Sequence, residues 1–256
     1  DGDAILAAAA AGELAALVVG GVDPQDMADP QAAITALREV GFLVSLEMHT
    51  SAVTELADVV LPVAPDAQRS GTYVNWEGRH RPFGVALDAT GVLPDCRVLD
   101  TLGVEMDTDL FTQTPAAAAG ELARLGTRRA GTLAPAVAAG EAKRPGYGQA
   151  VLATSRQLVD DASLSIDEPA LAGTARRPYV KLNAATAERL GLIEGEDAAV
   201  RTDRGTITLP VALADAPDGV VWLPTCSPGS HVRPTLGAGH GDLVGVVPAT
   251  GNGSAS

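Results

Sequence analysis

The chain has 256 residues, of which 46% are hydrophobic but only 3% aromatic, and its formal charge at pH 7 is −14. That much negative charge repels a phosphate backbone and argues against nucleic acid as a partner. No apolar run is long enough to span a bilayer, no charged segment leads an apolar signal core, and two cysteines cannot hold a four-thiolate iron–sulfur cluster.

The chain opens at Asp1 without methionine, as a fragment or processed product does. Leu14–Val19 reads as a buried strand closed by the turn Gly20-Gly21. Asp29 can cap a helix with Pro30 at its first position; Ile34, Leu37 and Val40 recur at helical spacing, and Gly41 stops it. Phe42–Leu46 is a second strand, residues 51–56 a short helix, and Val59–Leu61 a third, buried strand ending at Pro62. Connections this short between strands predict a parallel sheet, Rossmann-like in layout although it lacks G-x-G-x-x-G. Beyond Pro62 a loop is expected, in which Gly71 and Gly78 permit close backbone approach while Thr72, Asn75, Glu77 and Arg79 supply polar groups. A loop beyond the carboxyl end of a parallel strand is where open α/β sheets bind ligands; the competing expectation is a solvated loop with an ordinary Glu77–Arg79 pair.

From Gly103 to Gly146 the pattern loosens. Pro115–Leu122 opens a helix ending near Gly126, and Gly131–Gly148 is an extended Ala/Gly/Pro-rich connection. Order returns with strands at 149–156 and 179–182, then a helix capped by Asn183 and ended by Gly191. Strands at 198–202, 207–213 and 220–223 follow, with Pro210 marking an edge or a bulge. Short strands with turns at close intervals predict a compact β-barrel.

Chemistry-bearing clusters are sparse. The four histidines show no zinc-binding spacing. Cys226 and His231 form a conceivable thiol–imidazole pair with no third orienting group evident, and a glycine-rich barrel-mouth loop explains the segment as well. Cys96 and Cys226 read as free, fairly inert thiols. Asp160-Asp161 and Glu194/Glu196 read as exposed turn carboxylates, and no catalytic or metal-ligating residue is assigned. Arg79, Arg81, Arg156 and Arg233 suit pyrophosphate, or else pair with the chain's own acids or line an interface between domains.

Two stretches carry a resemblance. Ala57-Asp58-Val59-Val60-Leu61-Pro62, followed by Gly71-Thr72-Tyr73-Val74-Asn75-Trp76-Glu77-Gly78-Arg79, resembles the signature of the molybdopterin oxidoreductase superfamily. Formate dehydrogenases, nitrate reductases and the G subunit of respiratory NADH–quinone oxidoreductase belong to that superfamily, and the form here looks most like actinobacterial G subunits. The order from Tyr179 to Val211 resembles the superfamily's closing double-psi barrel, the molybdopterin dinucleotide-binding domain, whose first strand has Thr and Arg positions matching Thr154 and Arg156. The resemblance implies an α/β Rossmann-like parallel sheet domain (1–113), a linker (114–147), a double-psi β-barrel (148–250) and a flexible tail (251–256). It makes Gly71, Thr72, Asn75, Glu77, Gly78, Arg79, Thr154 and Arg156 the candidate cofactor-binding residues.

Likeness to the G subunit implies a scaffold without a redox centre of its own. Iron–sulfur clusters would lie before Asp1, and the partners would be other subunits of the complex's peripheral arm, at the cytoplasmic face of the membrane. The alternative is the closing half of a working, formate dehydrogenase-like enzyme binding molybdopterin guanine dinucleotide.

Overall fold

The computed structural model describes residues 2–88, 91–126, 143–162, 165 and 167–249. The chain divides into two compact units, one formed by Asp1–Asp23 with Thr35–Ala138 and the other by Pro24–Ile34 with Ala139–Ser256.

The first unit is built on a three-stranded parallel sheet ordered β1 (Leu17–Gly20), β2 (Leu43–Glu47), β3 (Val59–Pro62). Helix α1 (Gly2–Ala10) precedes it, and helix α2 (Pro30–Glu39) connects β1 to β2. As its sequence predicts, α2 starts where the Asp29 carboxylate accepts the amides of Gln31 (3.1 Å) and Ala32 (3.2 Å). Leu37, Val40, Leu43 and Val53 form one buried cluster, and Leu46, Val63 and Val98 another.

Two expectations fail here. Residues 51–56 form turns, not a helix: Ser51 and Thr54 exchange side-chain bonds with each other's backbone, which satisfies the amides locally without propagating a helix. β3 is not buried either, because it is the sheet's edge and leaves Val59 and Val60 exposed. Asp58 fixes its register, since its amide donates to Leu43 O and its carboxylate accepts the Leu43 amide at 2.7 Å.

Beyond β3 the expected loop is instead a hairpin of β4 (Gly71–Val74) and β5 (His80–Phe83). Helix α3 (Asp95–Glu105) was not anticipated. Helix α4 (Pro115–Leu125) was, with Thr114 accepting the Ala117 amide and Gly126 at its end. Most of the Gly131–Gly148 connection, and the 251–256 tail, lie outside the described residues.

The second unit is a closed barrel in the ring order β10 (Val220–Pro224), β6 (Gln149–Ser155), β13 (Leu243–Pro248), β8 (Asp197–Arg201), β9 (Thr206–Leu213), β7 (Val180–Leu182). The pairs β6–β10 and β7–β9 are parallel, the other four antiparallel. Helix α5 (Pro169–Ala172) precedes β7, α6 (Ala184–Leu190) follows it, and α7 (Val232–Leu236) follows the small ladder of β11 (Cys226–Ser227) and β12 (Ser230–His231).

This ring maps onto itself when β6-β7-α6-β8 is exchanged for β9-β10-α7-β13. Leu190–Val200 aligns without a gap on Leu236–Val246, bringing left-handed Gly191 onto Gly237 and Gly195 onto Gly241. The hydrogen bonds repeat as well. Gly195 N donates to Val211 O and Val211 N to Glu196 O; Gly241 N donates to Leu152 O and Leu152 N to Asp242 O. Every ring neighbour of a strand in one half belongs to the other half, so the halves are interlocked.

The interior is filled by Leu152, Val180, Leu182, Val200, Val211, Val221, Leu223 and Val244, all at most 2% exposed. A ring of six strands leaves room for aliphatic side chains, which fits the scarcity of aromatics. Pro210 is neither at an open edge nor a bulge. It sits where β9 changes partner, residues 206–210 pairing with β8 and 211–213 with β7.

Candidate cofactor-binding site

The first group of candidates lies on the β4–β5 hairpin, and the turn explains most of them. Asn75 Oδ1 accepts the amides of Glu77 (3.1 Å) and Arg79 (2.8 Å), and Asn75 N donates to Arg79 O. Glu77 Oε2 meets Arg79 Nε at 3.0 Å, and Gly78 takes the positive φ of 76° that the turn requires. The polar groups of Asn75, Glu77 and Arg79 therefore close the turn on itself, and Trp76 stands exposed at its tip. Arg81 is exposed on β5.

Gly71 has a separate reason to be glycine, since a Cβ there would fall 2.9 Å from the Phe83 ring, which stacks on Tyr73. Gly71 and Thr72 line an open cleft of about 960 Å³ with Tyr73, His80, Phe83 and the α4 residue Leu122. Asp66 holds the hairpin's base by accepting from Tyr73 Oη and pairing with Arg69 at 2.5 Å; these two donors keep its carboxyl below the usual range. The sequence reading missed Glu47, at the carboxyl end of β2 and 7% exposed, whose carboxyl burial pushes up. An acid ending a parallel strand, followed by His49, was the signal available.

The second group lies on the barrel. Thr154 Oγ1 donates to Leu223 O at 2.8 Å and shares a 2.8 Å bond with Thr225 Oγ1, bracing β6 against β10. Arg156 pairs with Asp26 (3.2 Å) and Asp160 (3.0 Å), and its positive charge lowers the nearby Cys226 thiol against the upward push of burial. Arg233 donates to the carbonyls of Asp26 and Met27, and Arg204 pairs with Asp29 at 3.2 Å, which holds the Asp29 carboxyl below its usual range. The segment Pro24–Ile34 thus straps this unit's arginines with its own carboxylates and carbonyls. No sequence signal joined residues so far apart.

Asp160 and Asp161 are not idle turn carboxylates. Asp160 is on Arg156, and Asp161 Oδ2 lies 2.9 Å from His231 Nε2, supplying the third group whose absence the sequence suggested. Cys226 and His231 face each other across the β11–β12 ladder with Sγ 3.8 Å from Nδ1. Both cysteines are free.

Residues 151–253 match the family model described as molydopterin dinucleotide binding domain. That match runs through the barrel from Val151 onward. Over 95% of its length the chain is 48% identical to the G subunit of the NADH-quinone oxidoreductase of Mycobacterium bovis, and over 98% it is 43% identical to that of Streptomyces coelicolor. It spans 31% and 30% of those relatives. Acetylene hydratase from Pelobacter acetylenicus shares the fold, with a TM-score of 0.60 at 16% identity over 87% of this chain and 39% of that one.

Of the candidates for a pterin dinucleotide, Asn75, Glu77, Arg79, Thr154 and Arg156 each have partners within the chain, while Gly71 and Thr72 line the cleft beside the hairpin. Among the described residues no group of three His, Cys, Asp or Glu side chains could hold a metal ion, and no helix is long and apolar enough to cross a membrane.

Proposed function

We propose that this chain acts as scaffold within the G subunit of an NADH–quinone oxidoreductase, with no redox centre of its own. Iron–sulfur clusters held elsewhere in that subunit carry the electrons, and the chain's partners are neighbouring subunits of the peripheral arm at the cytoplasmic face of the membrane. In this reading the parallel sheet is Rossmann-like and the barrel double-psi, with boundaries near residues 113 and 148. The observation that carries it is the strap: Asp26 occupies the guanidinium of Arg156, where the resemblance would set a cofactor phosphate. The similarity to two actinobacterial G subunits supports the same assignment.

A second reading, the closing half of a working molybdopterin oxidoreductase, draws support from the family match of residues 151–253. Metal analysis of the intact parent protein, with fluorescence of its oxidised pterin, separates the two. The scaffold reading expects neither molybdenum nor tungsten, and a stoichiometric amount of either overturns it.

A further inference from the structure

We propose that Cys226 is an oxidisable thiol, converted by hydrogen peroxide to a sulfenic acid with His231 as its base and Asp161 as the residue that positions the imidazole. Two contacts carry this. Cys226 Sγ lies 3.8 Å from His231 Nδ1, and His231 Nε2 lies 2.9 Å from Asp161 Oδ2. The carboxylate takes the Nε2–H and so leaves Nδ1 as the acceptor facing the thiol, a tautomer assigned from these partners. Other groups facing the sulfur are Asp160 and Asp26, both paired with Arg156.

Burial pushes the Cys226 thiol up while Arg156 pulls it down. The resting group is therefore the thiol, and reaction needs a base at hand. At 8% exposure the site admits an oxidant of peroxide size more readily than a bulky electrophile.

In the step, Nδ1 takes the thiol proton as the sulfur electron pair attacks one peroxide oxygen. The O–O bond breaks, and the leaving hydroxide takes the proton from Nδ1 and departs as water. Sulfur is oxidised by two electrons to Cys–SOH, and the peroxide is reduced to that water and the sulfenic oxygen. For a thiol that rests protonated, the imidazole 3.8 Å away is the base that makes oxidation at this cysteine site-selective.

The test treats the intact parent protein with hydrogen peroxide in the presence of dimedone and follows labelled peptides by mass spectrometry, with Cys96 as internal reference. Cys226 is expected to label about tenfold faster than Cys96. His231→Asn should bring it to the Cys96 rate. Asp161→Asn should slow it and Asp161→Glu restore it, a rescue that a purely structural role for the exposed Asp161 would not produce. Equal labelling of the two cysteines overturns the proposal. So does an unchanged Cys226 rate in His231→Asn, or in Asp161→Asn with its native melting temperature.

Discussion

Asn183 uses its side chain twice. Its Oδ1 accepts the Thr186 amide at 2.8 Å to cap α6, and its Nδ2 donates to Ala216 O at 2.9 Å and Asp218 Oδ1 at 2.6 Å. Asn183→Ala removes both roles and should cost about 1–2 kcal/mol in urea melts, whereas Asn183→Asp keeps the cap and should lose less. The carboxylates divide by sign. Asp29, Asp66 and Asp242 sit below the usual range through bonds to Arg204, Tyr73 and Lys143, so what they contribute is present above the ordinary aspartate range and lost as pH falls through their lowered values. Glu47 runs the other way: burial raises it, so its ionisation weakens the fold as pH rises. Glu47→Gln should therefore gain stability relative to the parent at pH 7 and lose that advantage at pH 4; a pH-independent difference in urea midpoints would refute it. At this scale the caps Asp29 and Asn183 were legible, because a cap bonds amides two or three residues away. The contacts of Arg156 with Asp26 and of His231 with Asp161 were not, since the fold alone brings them together.

The turn joining β8 to β9 packs closely against the last turn of α7. A Cβ on Gly205 would lie 2.4 Å from the Thr235 carbonyl oxygen, and Thr202 Oγ1 donates to Leu236 O at 2.7 Å in the same place. Backbone cannot retreat as a flexible side chain can, so Gly205→Ala should destabilise the barrel by about 1–3 kcal/mol, read as a lowered urea midpoint with unchanged slope. The hairpin should behave differently. Asn75→Ala removes the acceptor for the Glu77 and Arg79 amides, so their hydrogen exchange should quicken while barrel amides keep their protection. Barrel strands were legible because Ile207, Leu209 and Val211 alternate with outward residues. β4 and β5 were not, because both are largely exposed and show no alternation of burial. α3 escaped notice because Gly103 interrupts an otherwise helical run; that glycine is needed where Thr108 O would stand 2.7 Å from a Cβ.

At the scale of the whole barrel, one continuous aliphatic interior holds the ring. Leu152 is fully buried at the centre of β6, and Leu152→Ala should cost about 2–5 kcal/mol in thermal or urea unfolding. The spacing of short strands and turns pointed to a barrel. The two-fold repeat was also written in the sequence, as Leu-Gly followed four residues later by glycine at both 190–195 and 236–241, but only the hydrogen bonds give that spacing its meaning. Because β6, β7 and β8 share no ladder among themselves, a polypeptide emerging from the ribosome as far as Arg204 has built nothing of the ring. Closure must wait for synthesis of the second half, and until then those nascent strands stay open to whichever chaperone or neighbouring chain meets them first.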